Sequence, residues 1–155
     1  MNNKEYKIKL NKIKLIGRRE YVDFPELNIF KVEAKIDTGA YTSAIHCMDI
    51  YVKEIDGKQI LHFKLLDETH PEFHEREHRF ENFIQKGIKS SSGETELRYI
   101  IKTLLIIGRK KIRTAVSLTD RGNMRYPVLV GRKMIKNKFI IDVAKIHTGG
   151  ILVKK

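Results

Sequence analysis

Short segments of alternating apolar and polar residues, separated by glycine turns, dominate this chain. The most regular one has Phe30, Val32, Ala34 and Ile36 on one side and charged residues on the other. Alternation with a period of two predicts a strand that buries one face. Because many such strands occur with almost no helical pattern, the sequence favours an all-β fold that closes into a barrel.

The same pattern predicts the remaining elements. We expect further strands over residues 12–16, 20–24, 44–55, 59–66, 95–107 and 112–118. Asp56-Gly57 is a strong signal for a two-residue hairpin turn. Residues 69–80 are polar and charged, which is compatible with a loop, an edge strand or one short helix. The basic, apolar-faced segment from Arg132 to Asn137 predicts one short C-terminal helix.

Length and charge restrict the classes of protein to consider. A chain of 155 residues with 41% apolar residues predicts a single domain over residues 1–155 with a substantial core. The net charge is 31 − 19 = +12, which favours an acidic partner such as nucleic acid, an anionic membrane or an acidic peptide. Nucleic acid stays unsupported, because the chain has neither an aromatic-glycine RNA-binding motif nor zinc-finger spacing.

Cysteine and hydropathy patterns predict the compartment. Cys47 is the single cysteine, which excludes an internal disulfide and a cysteine-based zinc cluster and fits a reducing compartment. No run approaches the roughly 18 apolar residues of a membrane span, and the first ten residues lack a signal-peptide core. We therefore expect a cytoplasmic protein without a membrane partner.

The strand that ends at Ile36 is followed directly by an acidic residue in a predicted tight turn, Asp37-Thr38-Gly39-Ala40. Gly39 lets the main chain turn sharply and leaves amides near the carboxylate, while Thr38 offers a hydroxyl to hold the loop. Two interpretations stay open at this point. Asp37 is either a fixed catalytic carboxylate or a surface residue that merely caps its own loop.

A second signal follows much later, where an apolar strand ends in Val130-Gly131-Arg132. Asp-Thr-Gly-Ala followed at a distance by two apolar residues and Gly-Arg resembles the paired signature of the retropepsin-like aspartic proteases. Between the two signals, Ser90, Ser91, Ser92 and Gly93 resemble the tip of that family's flap. The order of parts matches from about residue 31 to residue 143, and the resemblance implies a closed acid-protease barrel.

Two further motifs resemble a bacterial subfamily over nearly the whole chain. They are Ile16-Gly17-Arg18-Arg19-Glu20 and Asn123-Met124-Arg125-Tyr126-Pro127. Members of this subfamily carry the label "ATP-dependent zinc protease" and are found beside ATP-grasp glutamate ligases of the RimK type. That association suggests peptides bearing several glutamates as a substrate class. No phosphate-binding glycine loop of the G-x-x-x-x-G-K-[ST] type supports the use of ATP.

The resemblance implies a role for each matching residue. Aspartic proteases need two carboxylates that share one proton, and this chain has one Asp-Thr-Gly, so we expect a homodimer with one Asp37 per subunit and no cofactor. The implied active-site loop comprises Thr38, Gly39, Ala40 and Ser43, with Val130, Gly131 and Arg132 as support and with Arg98 and Arg125 as candidates for binding substrate. Tyr41 and Thr42 stand where viral relatives have acids that pair with the arginine. We therefore expect Arg132 to bind another carboxylate or the substrate.

Two alternatives remain. His74-Glu75-Arg76-Glu77-His78 satisfies H-E-x-x-H, in which two histidines on one face of a helix bind zinc and the glutamate acts as base. Its charged surroundings, with Phe73 as the single apolar residue between positions 72 and 79, favour a solvated segment instead. The second alternative is a non-catalytic barrel that binds acidic partners and keeps the Asp-Thr-Gly loop for structure alone.

Overall fold

The computed structural model describes residues 2–5, 13–89, 93–120 and 125–152. In these ranges the strands are β1 (Lys14–Gly17), β2 (Arg19–Phe24), β3 (Ile29–Ile36), β4 (Ser43–Ile55), β5 (Lys58–Leu65), β6 (Glu77–Phe80), β7 (Ile84–Lys89), β8 (Thr95–Ile107), β9 (Lys110–Thr119), β10 (Val128–Val130), β11 (Phe139–Asp142) and β12 (Ile151–Leu152). Helix α1 covers Arg132–Ile135.

Six strands close a barrel in the order β3, β2, β8, β9, β4 and β10. The short strand β10 completes the ring, because it pairs in parallel with β3 and antiparallel with β4. Its register sets Val128 beside Ala34 and Val130 beside Ile36. This confirms the predicted all-β barrel with a short helix near its C-terminal end. Strand β2, which precedes residue 31, is also part of this ring.

The core face of β3 follows the predicted alternation in part. Val32, Ala34 and Ile36 are buried, but Phe30 is 45% exposed and Ile29 is buried in its place. The reason is an irregularity at Lys31, which has a left-handed φ of 54° and donates its N–H to Asp23. The register between β2 and β3 shifts at the same point. Such a bulge reverses the side-chain alternation before it.

The stretch over residues 69–80 is a loop that ends in an edge strand. Strand β6 pairs antiparallel with β5 outside the ring. Strand β7 forms a hairpin with β8. Of the predicted flap tip, Ser90, Ser91 and Ser92 lie outside the described residues, while Gly93 takes a left-handed φ of 85°.

Helix α1 is one turn long and ends at Ile135, two residues before the predicted end. It follows β10 directly, and its side chains Met134 and Ile135 are buried. Within the part of the chain that the structure describes, no helix is long and apolar enough to cross a membrane.

Residues 145–150 form a segment, here called the C-terminal strap, that lies across the junction of β1 and β2. Glu20 anchors it, because this fully buried carboxylate accepts hydrogen bonds from the N–H groups of Thr148 and Gly149 at 2.6 and 3.1 Å. Gly17 permits the crossing, since a Cβ there would lie 2.3 Å from the Lys145 carbonyl oxygen. The Ile16–Glu20 motif therefore fixes the strap and, with it, the two arginines between these residues.

Candidate active site

The loop that carries Asp37 begins where β3 and β10 end side by side. The Asp37 N–H donates to the Val130 carbonyl at 2.9 Å, which ties the loop to β10. The Gly39 N–H donates to Asp37 Oδ1 at 2.9 Å, so the glycine turn holds the carboxylate as predicted. No described residue hydrogen-bonds the other carboxylate oxygen, and the side chain is half-buried. One face of Asp37 is thus fixed and one is open.

The residues after β10 interlock with the same loop. The Gly131 N–H donates to Ser43 Oγ at 3.0 Å, and the Arg132 N–H donates to the Ala40 carbonyl at 2.8 Å. A Cβ at Gly131 would lie 2.7 Å from the Tyr41 carbonyl oxygen, so only glycine fits this crossing. The two sequence signals, 94 residues apart at Thr38 and Arg132, form one structural unit.

The Arg132 side chain contacts the candidate catalytic loop itself, and its binding of another carboxylate or of the substrate stays a prediction. Its Nη1 donates to the Thr38 carbonyl at 2.9 Å, and its guanidinium carbon lies 5.8 Å from the centre of the Tyr41 ring. A carbonyl oxygen and an aromatic face both attract a guanidinium. Arg132 therefore stabilises the loop through the Thr38 carbonyl and the Tyr41 ring.

The two arginines proposed for substrate binding lie in different places. Arg98 belongs to the β7–β8 hairpin, opposite Lys86, and its Nη2 lies 3.3 Å from Glu96 Oε2. Arg125 lies beside Tyr126 and lines a cavity that also borders Ile36, the residue before Asp37. Arg125 therefore lies in a cavity beside the candidate catalytic loop, while Arg98 lies on the β7–β8 hairpin.

Sequence reasoning missed three cations that share this cavity with Arg125. They are Arg18, Arg19 and Lys35. Lys35 is exposed on β3, the strand that ends one residue before Asp37. The two arginines belong to the Ile16–Glu20 motif, to which the sequence analysis assigned no function. The alternation of β3 was the available signal for Lys35, while Arg19 reaches the site through its β2–β3 pairing with Lys35 and Arg18 through its carbonyl, which accepts the Ile36 N–H.

The H-E-x-x-H segment does not form the helix that a zinc peptidase of this type requires. Residues 73–76 have no regular structure and residues 77–80 are strand β6. The His78 ring stacks on Phe63 at 5.4 Å, and burial lowers the pKa of His78. Among the described residues, no group of three or more His, Cys, Asp or Glu side chains is placed to hold a metal ion. The motif therefore does not fit a zinc site.

Glu77, inside the same motif, belongs to a hydrogen-bonded cluster on the outer face of the β4–β5–β6 sheet. His62 Nδ1 lies 2.8 Å from Glu77 Oε1, and the Tyr51 hydroxyl donates to Glu77 Oε2 at 3.0 Å. The His62 hydrogen bond is the main cause of a lowered pKa for Glu77. These contacts join three strands and give the motif a structural role.

His46 and Cys47 are also structural. His46 is buried, with Nε2 2.8 Å from Asp67 Oδ2 and Nδ1 3.6 Å from Asp120 Oδ1. Burial raises the pKa of the Cys47 thiol well above its ordinary value, which disfavours the reactive thiolate.

Comparison with known proteins places this site in a family. Residues 15–149 match the family model named RimB-like, which represents the retropepsin-like aspartic endopeptidase RimB. The chain is 34% identical over 132 residues to a probable alpha-L-glutamate ligase of Shewanella pealeana. It is 35% identical over 135 residues to a probable alpha-L-glutamate ligase of Desulfotalea psychrophila.

The extent of each match differs. The aligned parts cover 83% and 84% of this chain but 28% of either relative, so the chain spans about a quarter of their length. The crystal structure of Lpg0085 from Legionella pneumophila, a protein of unknown function, superposes with a TM-score of 0.67 and 25% identity, covering 88% of this chain and 98% of that one. Taken with the interlocked Asp37 and Gly131 loops, the family match shows that this chain belongs to the RimB-like family of retropepsin-like aspartic endopeptidases.

Proposed function

We propose that this chain is an aspartic endopeptidase that acts as a twofold homodimer, with one Asp37 from each copy, on acidic or glutamylated peptides. The observation that carries the proposal is the geometry of Asp37. Its carboxylate is held by the Gly39 N–H on one oxygen and is open on the other, at a loop stabilised by the Val130–Arg132 segment. This is the arrangement that a fixed acid-base catalyst needs.

A second copy supplies what one chain lacks. Among the described residues, every hydrogen-bond partner of Asp37 is a main-chain group, and the sequence has one Asp-Thr-Gly. The neighbouring Tyr41 is 56% exposed beside a cavity of about 410 Å³ that Thr38, Arg132 and Ile135 also line. A twofold axis beside this surface would cover Tyr41 and bring two Asp37 side chains together.

The chemistry follows from the pair of carboxylates. Two charges about 3 Å apart repel by about 5 kcal/mol at an effective dielectric constant of about 20, so the pair keeps one proton. The ionised carboxylate removes a proton from water, whose oxygen attacks the peptide carbonyl carbon. The protonated carboxyl donates to the carbonyl oxygen, and a proton then passes to the leaving amine as the C–N bond breaks.

Charge and relatives support an acidic substrate. A net charge of +12 attracts anionic chains. The relatives named probable alpha-L-glutamate ligases suggest glutamate chains as the polymer, since a peptidase would remove what a ligase adds. The zinc alternative has no matching geometry in residues 73–80.

The catalytic proposal is tested by replacing Asp37 with Asn, which keeps the shape of the side chain and removes the shared proton. We expect cleavage of glutamate-rich peptides to be lost in Asp37→Asn and retained in Asp56→Asn, a matched change in the exposed β4–β5 turn. Activity should survive Glu75→Ala and strong chelators. Thermal melting must show that Asp37→Asn is folded. Activity that persists in folded Asp37→Asn, or vanishes with a chelator, would overturn the proposal.

The shared active site of the proposed dimer is tested by varying the chain concentration and by mixing wild-type with Asp37→Asn chains. Activity at limiting concentration should rise with the square of the chain concentration, and sedimentation should show a monomer–dimer equilibrium. An excess of Asp37→Asn chains should suppress wild-type activity beyond simple dilution, because mixed dimers carry one carboxylate. Full activity from a strictly monomeric species would exclude the shared dyad.

A further inference from the structure

A basic cavity of about 240 Å³ lies beside the candidate catalytic loop. Its lining consists of Arg18, Arg19, Lys35, Ile36, Arg125 and Tyr126, and we call it the basic subsite. It shares a wall with the loop, because the Ile36 N–H donates to the Arg18 carbonyl at 2.9 Å and Asp37 is the next residue. A peptide lying across Asp37 would therefore pass this cavity.

The subsite has more positive than negative charge. Against its four cations, Glu33 is the carboxylate in contact, 3.5 Å from Arg19 Nη1, and its other oxygen is 2.7 Å from His147 Nε2. Arg18 Nη1 donates to the Val143 carbonyl, which is neutral. Within the described residues, Lys35 and Arg125 have no carboxylate partner. The cavity therefore has more cationic side chains than carboxylates to neutralise them.

The β2–β3 pairing places two cations side by side, and a bound anion would reduce the repulsion between them. Arg19 and Lys35 are direct cross-strand partners, and like charges in that position destabilise a sheet. Arg19 is held in place by the Tyr126 hydroxyl at 3.2 Å, so its charge stays at the cavity. Neighbouring cations that line one cavity concentrate a positive field there, which attracts a negative ligand.

We propose that the basic subsite takes the side-chain carboxylate of a glutamate or aspartate next to the scissile bond, and so determines specificity. The inference rests on the proposed peptidase function. A guanidinium presents paired N–H donors that match a carboxylate, and the cavity admits one side chain rather than a wide polyanion. Because a twofold dimer repeats the subsite on both sides of the paired Asp37 residues, acidic residues are preferred on both sides of the cleaved bond.

The experiment compares two double variants that lose the same charge. Lys35→Gln/Arg125→Gln alters the subsite, while Lys53→Gln/Arg76→Gln removes one exposed lysine from the β4–β5 hairpin and one exposed arginine from the segment before β6, both outside the barrel ring. Both are made in the non-cleaving Asp37→Asn protein. Binding of a fluorescent glutamate-rich peptide and its glutamine counterpart is measured by anisotropy. This readout needs no catalysis, so it stays informative even if the protein is not a peptidase.

We expect the subsite variant to bind the glutamate peptide about tenfold more weakly than the control variant does. The glutamine peptide should bind both variants alike. In the active protein, Lys35→Glu should shift cleavage towards peptides with lysine beside the scissile bond. Equal weakening by the two double variants would show bulk attraction only and overturn the subsite. Displacement of the peptide by single-stranded RNA at lower concentration than by free glutamate peptide would also overturn it.

Discussion

Ser43 is the side chain that joins the Gly131 segment to the candidate catalytic loop. It is buried on β4 and accepts the Gly131 N–H at 3.0 Å, so it fixes the distance between β10 and the Asp37 turn. A second buried serine, Ser117 on β9, has a hydroxyl with no hydrogen-bond partner among the residues that the structure describes. Both serines are buried, but of the two it is Ser43 whose hydroxyl takes part in a hydrogen bond. Substitutions at the two positions can therefore be compared directly.

We expect Ser43→Ala to lower the free energy of unfolding by about 1–3 kcal/mol, because it leaves the buried Gly131 N–H without an acceptor. Ser117→Ala should change stability little or increase it, since it removes an unpaired polar group. Urea unfolding of the two variants measures both effects. If the two substitutions cost the same free energy, the Ser43 bond does not hold the loop.

At the scale of elements, the β5–β6 pairing explains why residues 74–78 are not a helix. His78 lies opposite Phe63 on the inner face of the sheet, and Phe80 stacks on the same ring at 5.6 Å. Three aromatic side chains thus pack β6 against the core. This packing requires strand alternation, which a helical turn would break.

The buried histidine on β6 makes stability depend on pH. Burial lowers the pKa of His78 below its ordinary value, so the unfolded chain binds a proton more readily than the folded one. Its contribution is complete above the unfolded pKa, about 6.5, and is lost as the pH falls through the folded value. We expect His78→Phe to reduce the loss of stability between about pH 7.5 and about pH 5.5.

Urea unfolding at the two pH values measures this change. Phe80→Leu is the control, because it alters the same aromatic stack without a titrating group and should lower stability equally at both pH values. An unchanged pH dependence in His78→Phe would show that His78 is not the responsible group.

Local patterns predicted the elements better than the site. The strands and the Asp-Thr-Gly turn follow from alternation and turn chemistry, which act over a few residues. The bulge at Lys31 did not, because it depends on the Asp23 carboxylate of the neighbouring strand. Arg18 and Arg19 reach the active site only through strand pairing and the C-terminal strap. Residues that meet through long-range pairing leave no local signal.

For the whole molecule, the charge of +12 adds a long-range attraction to the local action of the basic subsite. Exposed charges interact over about 8 Å at physiological ionic strength, and salt shortens this range. Long-range attraction therefore affects encounter with an anionic peptide more than it affects the reaction of a bound one.

We expect KM for a glutamate-rich peptide to rise steeply between about 50 and about 500 mM salt, while kcat changes little. KM for the glutamine counterpart should be nearly constant. Steady-state kinetics across salt concentrations checks this. Parallel salt dependence for the two peptides would refute electrostatic attraction of the substrate.

The parallel pairing of β3 with β10 also has a consequence for how the protein is made. A ribosome releases residues 29–36 long before residues 128–132, yet the Asp37 loop acquires its hydrogen bonds to Val130 and Arg132 only when both are free to pair. Contacts between residues so far apart in sequence carry a loop-closure cost and slow folding. The hydrogen bonds that hold the Asp37 loop therefore cannot form on a nascent chain until residue 132 has been made.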